Sequence, residues 1–159
     1  MSWTRRAERV QDTQRAGEEF AAVLEPGDVV LLTGQLGAGK TAFVQGLGAG
    51  LGVRERVTSP TFTVVRQHRC HARATITTLH HADVYRTRDA TEIVDLALGE
   101  LVEENAVAVV EWGEMATSVF GDDVITVSLD VEPDESRVIT VAGAAATVRA
   151  RRLDLWERP

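Results

Sequence analysis

A short run in the first third of the chain could bind phosphate. Residues Gly34 to Thr41 read Gly-Gln-Leu-Gly-Ala-Gly-Lys-Thr and satisfy the pattern G-x-x-x-x-G-K-[ST] in full. Its glycines let the backbone wrap closely and point N–H groups inward as an anion nest. Lys40 would place a positive charge on the outer phosphates, and Thr41 would offer its hydroxyl to magnesium. The run therefore predicts a P-loop that holds ATP or GTP phosphates together with Mg²⁺.

The elements around this run are those that a P-loop requires. A continuous apolar stretch, Val29 to Leu32, predicts a buried strand before the loop. A helix follows, and we expect its positive N-terminal end to add to the anion site. Its glycines weaken that helix by about 1 kcal/mol each relative to alanine, so a packed neighbour must compensate or the helix ends early. The residues expected to hold the nucleotide here are Gly37, Ala38, Gly39, Lys40, Thr41 and Ala42, and the glycines in question are Gly46, Gly48 and Gly50.

Carboxylates at the ends of other strands could complete the site. Ala106 to Val110 predicts a second buried strand with Glu111 at its carboxyl end, the position where α/β proteins form their sites. We expect Glu111 to serve magnesium. Asp83 ends another predicted strand and could position water, but a surface aspartate explains it equally well from the pattern. Thr58 begins a proline-fixed loop that could sense the γ-phosphate, and ordinary turn chemistry is an equal alternative.

The remaining pattern predicts an α/β domain with a mixed sheet. Two alternating segments joined by Glu132-Pro133-Asp134-Glu135 indicate an antiparallel hairpin near one sheet edge. An opening helix carries Ala16, Phe20, Val23 and Leu24 on one face, with Asp12 or Thr13 as its cap. The other predicted elements are strands over Thr61 to Gln67, Thr75 to Val84, Asp123 to Val131 and Arg137 to Val141, and a helix over Asp89 to Glu104.

Composition narrows the function classes. The chain has 159 residues, the length of one domain, and a net charge of −7, which makes it a poor nucleic-acid binder by itself. One cysteine, Cys70, allows no internal disulfide, and no segment has the ~20 apolar residues of a membrane span, so we expect a cytoplasmic protein.

Zinc binding at Cys70, His71, His80 and His81 is disfavoured because the spacing of these residues matches no zinc pattern. Arginines near the C-terminus indicate a solvated tail.

Four stretches together resemble the TsaE family, small bacterial P-loop ATPases needed for threonylcarbamoyladenosine in tRNA. Pro26-Gly27-Asp28 leads into the P-loop. The others are Thr58-Ser59-Pro60-Thr61-Phe62, then His81-Ala82-Asp83-Val84-Tyr85-Arg86, then Val110-Glu111-Trp112-Gly113-Glu114. They span about two-thirds of the chain in the family's order. The domain would cover residues 1–143, with 144–159 as an Arg-rich, disordered tail outside the resemblance.

The resemblance implies a fold, an activity and partners. The fold would be a P-loop NTPase-like three-layer sandwich with a mixed sheet. The activity would be weak ATP hydrolysis, effective only with the partner proteins TsaB and TsaD, so that tRNA is reached through the complex. By position, Lys40 and Thr41 match the phosphate and magnesium residues, Glu111 the second magnesium residue and Asp83 a residue required for activity. Thr58 to Thr61 match a switch-like loop, and Thr13 and Arg137 fall where the family contacts nucleotide.

The chain departs from the family at three positions, and other readings stay open. Gln35 replaces a common aspartate, Ala42 a common Thr or Ser, and Gly113 a common proline. A small-molecule kinase remains an alternative, given the sparse basic cluster Arg66, Arg69 and Arg73, as does a nucleotide-gated binding module without useful turnover. An arginine finger is not evident, although Arg86 and Arg88 are the nearest candidates.

Overall fold

The computed structural model describes residues 1–58, 65–83, 104–111, 121 and 123–158 of the chain. Within them, helices accompany one mixed sheet in an α/β domain, which confirms the predicted fold class. The strands are β1 Trp3–Ala7, β2 Val29–Thr33, β3 Val65–Arg73, β4 Ile76–Asp83, β5 Ala106–Glu111, β6 Ile125–Val131 and β7 Arg137–Ala142. The helices are α1 Val10–Phe20, α2 Lys40–Gly50, α3 Ala144–Val148 and α4 Ala150–Glu157.

All described strands join one mixed sheet in the order β1-β7-β6-β2-β5-β4-β3. The four central strands, β6, β2, β5 and β4, run parallel to one another. Strands β3, β7 and β1 add in antiparallel fashion at the two ends. Strand β5 is buried at every position, as its unbroken apolar run predicts. The predicted β6–β7 hairpin is confirmed, but β1 rather than β7 ends that side of the sheet.

Strand β1 was not predicted from the sequence. Its residues alternate between buried and exposed, with Trp3, Arg5 and Ala7 facing inward. The inward-facing Arg5 breaks the alternation of apolar and polar residues by which a strand is recognised, because arginine is usually found at exposed positions. Arg5 is buried only because it is paired: its guanidinium donates to the carboxylate of Glu19 and to the carbonyl of Trp156 at 3.2 Å.

Glycines let α1 and α2 touch backbone to backbone. A methyl group on Gly46 would overlap the carbonyl of Gln14, and one on Gly50 would overlap the carbonyl of Glu18. On α1, Gly17 faces the carbonyl of Phe43 in the same way. The neighbour that the glycine-weakened helix α2 required is therefore α1, and α2 continues to Gly50 because that neighbour is present.

Two details of the sequence prediction differ in the structure, and a third lies almost wholly outside the described residues. Helix α1 begins at Val10, so neither Asp12 nor Thr13 is its cap; instead Asp12 accepts the backbone N–H of Arg9 at 3.0 Å. Strand β3 continues past the predicted end at Gln67 to Arg73, since buried His68 and Cys70 alternate with exposed neighbours. The predicted helix from Asp89 lies outside the described residues, apart from its last position.

The Arg-rich C-terminal segment is folded, and the prediction of a disordered tail is wrong. Helix α4 buries Leu153 and Trp156. The indole of Trp156 donates to the carbonyl of Ala16 at 2.9 Å, and its ring packs edge-on against Phe20. The indole of Trp3 donates to Asp154 at 2.8 Å. Two apolar side chains facing one way make this short helix part of the core despite its arginines.

No helix in the described part of the chain is both long enough and apolar enough to cross a bilayer.

Candidate functional site

The phosphate loop connects the carboxyl end of β2 to the first residue of α2. Gly39 is the N-cap of α2 and has a φ of 103°, a left-handed backbone conformation that residues other than glycine rarely adopt. The first turn of an eleven-residue helix thus directs its free N–H groups towards the loop. Backbone N–H groups and the positive helix end together make this an anion site.

Lys40 is held against the loop that it would serve. The side chain is mostly buried, with the residue 7% exposed, and its ammonium donates to the carbonyl of Gly34 and, at 3.3 Å, to that of Gln35. The positive charge therefore lies beside the loop, in the cleft that Lys40 helps to line. An incoming phosphate would give this ammonium a stronger, charged acceptor than a carbonyl.

The predicted phosphate and carboxylate residues meet in one cleft of about 230 Å³. The loop supplies one wall, and the ends of β4 and β5 supply the other. Strands β4 and β5 are parallel neighbours in which Asp83 is the register partner of Glu111, so both carboxylates reach the same edge of the sheet. Leu32, just before the loop, pairs with Glu111 from the other side. The described residues lining the cleft are Leu36, Gly37, Gly39, Lys40, Thr41, Asp83 and Glu111.

The oxygen donors of the cleft fit magnesium. Mg²⁺ prefers hard oxygen ligands and is usually held by one or two carboxylates together with substrate phosphates. Thr41 supplies a hydroxyl, and Asp83 and Glu111 supply carboxylates, of which Glu111 is only 3% exposed. Among the described residues no three His, Cys, Asp or Glu side chains form an all-protein metal cage, so an ion here would depend on the nucleotide for its remaining ligands.

Glu111 has a buried partner that sequence reasoning did not assign to the site. Nε2 of His81 lies 2.8 Å from Oε2 of Glu111, and His81 is fully buried. The two residues come from neighbouring strands, β4 and β5. The sequence feature that could have pointed to His81 is its position two residues before Asp83, which puts both side chains on one face of the strand.

Thr13 and Arg137 lie against the loop and are not among the residues lining the cleft. Thr13 is buried on α1, and its methyl group is 3.6 Å from where a side chain on Gly39 would begin. Arg137 donates to the carbonyls of Gly37 at 3.1 Å and Ala38 at 3.3 Å. The structure thus places both predicted nucleotide contacts at the back of the loop.

The remaining predicted site residues either do not line the cleft or lie outside the described residues. Thr58 ends a described stretch and does not line the described cleft. The carbonyl of Val57, next to it, accepts a hydrogen bond from Gln45 of α2 at 3.1 Å, which ties this segment to the P-loop helix. Ser59 to Thr61, Arg86, Arg88 and Trp112 lie outside the described residues. Ala38, within the loop, and Ala42, in the first turn of α2, are both buried.

Comparison with known proteins matches one family. The family model described as "TsaE: Threonylcarbamoyl adenosine biosynthesis protein TsaE" matches residues 7–139. Proteins named tRNA threonylcarbamoyladenosine biosynthesis protein TsaE are similar: that of Treponema pallidum (strain Nichols) is 46% identical over 132 residues, covering 83% of this chain and 94% of the relative. That of Streptomyces coelicolor is 41% identical over 132 residues, covering 80% and 87%.

A solved structure has the same architecture. The crystal structure of YdiB from Bacillus subtilis superposes with a TM-score of 0.76 at 26% identity. The match covers 97% of this chain and 95% of that one.

Proposed function

This chain belongs to the TsaE family of threonylcarbamoyl adenosine biosynthesis proteins, and on that premise we propose that it is a magnesium-dependent ATPase of tRNA modification. It would act with TsaB and TsaD in the cytoplasm and reach tRNA through that complex. The observation that carries the proposal is the single cleft in which the P-loop residues Lys40 and Thr41 face Asp83 and Glu111.

Each residue of the cleft has a role that its chemistry permits. The loop N–H groups and Lys40 would hold the β- and γ-phosphates and offset their charge. Thr41 and Glu111 would hold Mg²⁺, which, when bound, neutralises charge on the phosphate oxygens. Asp83 would accept a hydrogen bond from the attacking water and orient it.

The positive charge in the described part of the cleft is consistent with slow ATP hydrolysis by the chain alone. Its described lining contains Lys40 but no arginine, and Arg137 is occupied with the loop carbonyls. P-loop hydrolases commonly gain several orders of magnitude in rate when an arginine stabilises the transition state. A partner that supplies such a group, or orders the segment after Thr58, would make hydrolysis dependent on the complex.

The test is ATP hydrolysis with Mg²⁺ by the chain alone and then with its cognate TsaB and TsaD. We expect slow turnover alone and strong stimulation by both partners together. Lys40→Ala is the blank, because losing a charged donor should weaken nucleotide binding roughly 10- to 100-fold. Arg69→Ala, an exposed change on β3, is the control.

The outcomes separate the alternatives. Nucleotide binding without stimulation by the partners would contradict the ATPase proposal and favour a binding module. Transfer of phosphate to a small acceptor without partners would favour a kinase. Full turnover by Lys40→Ala would show that the cleft is not the ATPase site.

A further inference from the structure

We infer that His81 is a positioning residue that fixes the orientation of the Glu111 carboxylate for magnesium–nucleotide binding. The inference rests on the proposed function, because it concerns the carboxylate assigned there to magnesium. Its basis is one buried contact, Nε2 of His81 at 2.8 Å from Oε2 of Glu111. Their side chains are 0% and 4% exposed, respectively.

Strand register explains why this histidine reaches this carboxylate. Glu111 is level with Asp83, whereas His81 is level with Val109, two residues deeper in the sheet. Since side chains two apart on a strand share a face, His81 and Asp83 lie on the same face of β4. The His81–Glu111 hydrogen bond therefore runs diagonally from β4 to β5. It reaches Glu111 from the interior of the sheet, whereas the carboxylates of Asp83 and Glu111 lie at the sheet edge.

The contact leaves most of the carboxylate available. A carboxylate has two oxygens and about four lone-pair directions, and His81 uses one of them on Oε2. An ionised carboxylate accepts hydrogen bonds and cannot donate, so with Glu111 ionised, as a magnesium ligand would be, the donor in this contact is the Nε2–H of His81. Holding one oxygen in this way restricts the rotation of the side chain and presents the rest of the group in a set direction.

The other ring nitrogen argues against a purely packing role. Nδ1 of His81 is buried and has no hydrogen-bond partner among the residues that the structure describes. An unsatisfied buried polar atom costs free energy that an apolar side chain of similar size would avoid. The contact with Glu111 is the feature that a leucine at this position could not supply.

The chain contains a matched control for this pair. His68 on β3 is also buried, and its Nδ1 lies 2.7 Å from Oε1 of Glu55. Neither residue lines the described cleft. A substitution at His68 therefore removes a buried histidine and a His–Glu contact without touching the candidate magnesium ligands.

The experiment is a titration of nucleotide binding with Mg²⁺, followed with a fluorescent ATP analogue and repeated in EDTA. His81→Leu removes the donor, and His81→Gln keeps an amide N–H at nearly the reach of Nε2. Partners of metal ligands typically contribute 10- to 100-fold to metal affinity. We expect His81→Leu to raise the Mg²⁺ concentration at half-saturation at least about tenfold and to leave binding in EDTA unchanged. His81→Gln should stay near the parent, and His68→Leu should not move the titration.

A further pair of variants covers loss of folding. If His81→Leu unfolds, as urea denaturation would reveal, His81→Asn replaces it. Its shorter amide falls short of Glu111, so Asn should raise the Mg²⁺ requirement while Gln does not.

Three results would overturn the inference. A titration unchanged in His81→Leu would reduce the histidine to a structural role, and so would equal shifts in His81→Asn and His81→Gln. In either case, a shift in Glu111→Gln leaves the proposed magnesium site standing. If Glu111→Gln itself does not shift the titration, the magnesium role of Glu111 fails and the positioning role fails with it.

Discussion

Arg137 shows how a residue outside the cleft can shape it. Its guanidinium bridges the carbonyls of Gly37 and Ala38, in the segment whose N–H groups should face phosphate. Binding a peptide's carbonyl fixes which way its N–H points, because both belong to one plane. Arg137 is therefore placed to hold the loop in the conformation that the proposed nucleotide site requires.

Replacing Arg137 should weaken nucleotide binding. Arg137→Met keeps most of the apolar stem and removes both hydrogen bonds to the loop, along with one to the carbonyl of Glu135. The two loop bonds together contribute about 1–2 kcal/mol, or roughly tenfold in affinity. Calorimetric titration with ATP and Mg²⁺ measures the change, with Arg66→Met, a change at an exposed position of β3, as the control. An affinity equal to that of the control would mean that the loop keeps its shape unaided.

Cys70 should make the free energy of unfolding fall as the pH rises into the alkaline range. Burial raises the pKa of its thiol to about 11 from 9.0, and the nearby Glu55 charge adds to the effect. Unfolding thus releases a proton between these values, so the stabilising contribution is complete below pH 9 and is lost as pH rises towards 11.

Urea denaturation at pH 8 and pH 10.5 tests this, with Cys70→Ala as the reference. The parent should lose more stability than the variant over that interval. The native thiol should also react slowly with a thiol reagent at pH 8, and rapidly once the chain is unfolded. Equal losses in parent and variant would contradict the prediction.

At the scale of elements, the contact between α1 and α2 determines where the P-loop helix lies. Gly46 faces the carbonyl of Gln14, so no side chain separates the two backbones. The same packing brings Thr13 of α1 against Gly39 at the start of α2. Helix α1 thus supports the loop although it provides no residue to the described cleft lining.

Gly46→Ala should therefore destabilise the domain, contrary to the usual gain from alanine in a helix. The added methyl would force the helices apart, at a cost typical of overpacking, about 1–3 kcal/mol. Gly48→Ala is the control, because its methyl would come closest to side-chain atoms, Cγ2 of Val57 at 2.9 Å and then Val53 at 3.7 Å, and not to backbone. Urea denaturation compares them. A Gly46→Ala variant as stable as Gly48→Ala would refute the close helix contact.

At the scale of the whole molecule, the two ends of the chain stabilise each other. Trp156 packs against Phe20 and lies under the guanidinium of Arg5, 5.8 Å from the ring centre. The backbone N–H of Thr4 donates to Glu157 at 2.8 Å. The C-terminal segment therefore belongs to the same cooperative unit as β1 and α1.

Trp156→Ala should cost about 3–5 kcal/mol of stability, a large part of the roughly 5–15 kcal/mol typical of a domain. Leu155→Ala, next to it and 76% exposed, should change stability by less than about 0.5 kcal/mol. Thermal unfolding of both variants measures the difference. Similar melting temperatures would mean that α4 is not docked in solution.

The candidate cleft was largely predictable because its signals are local. The P-loop pattern is contiguous, and Glu111 was found by the rule that sites form at the carboxyl ends of parallel strands. Asp83 was an even choice from the pattern, and the family resemblance favoured it. Their roles remain predictions, but the structure brings them together. The spacing of His81 and Asp83 places both side chains on one face of a strand. The His81–Glu111 and Arg137–loop contacts themselves were not predictable, because strand register and distant pairing are not encoded in any short pattern.

The fold was missed where a few buried residues stand among charges. Strand β1 carries an inward Arg5, and α4 turns only Leu153 and Trp156 inward among its arginines. Their burial depends on partners more than a hundred residues away, the carbonyl of Trp156 for Arg5 and that of Ala16 for Trp156. Local hydrophobic periodicity is weak in such segments, and tertiary contacts decide the outcome.

The clustering of Trp3 and Trp156 gives the molecule an optical reporter of its own. Two of its three tryptophans are buried where α4 meets the start of the chain, and each indole N–H is hydrogen-bonded. Their emission should therefore shift to the red when the chain ends separate. With Trp112 changed to phenylalanine, the intrinsic fluorescence would follow that junction alone, and a nucleotide carrying its own fluorophore would follow the cleft in the same sample.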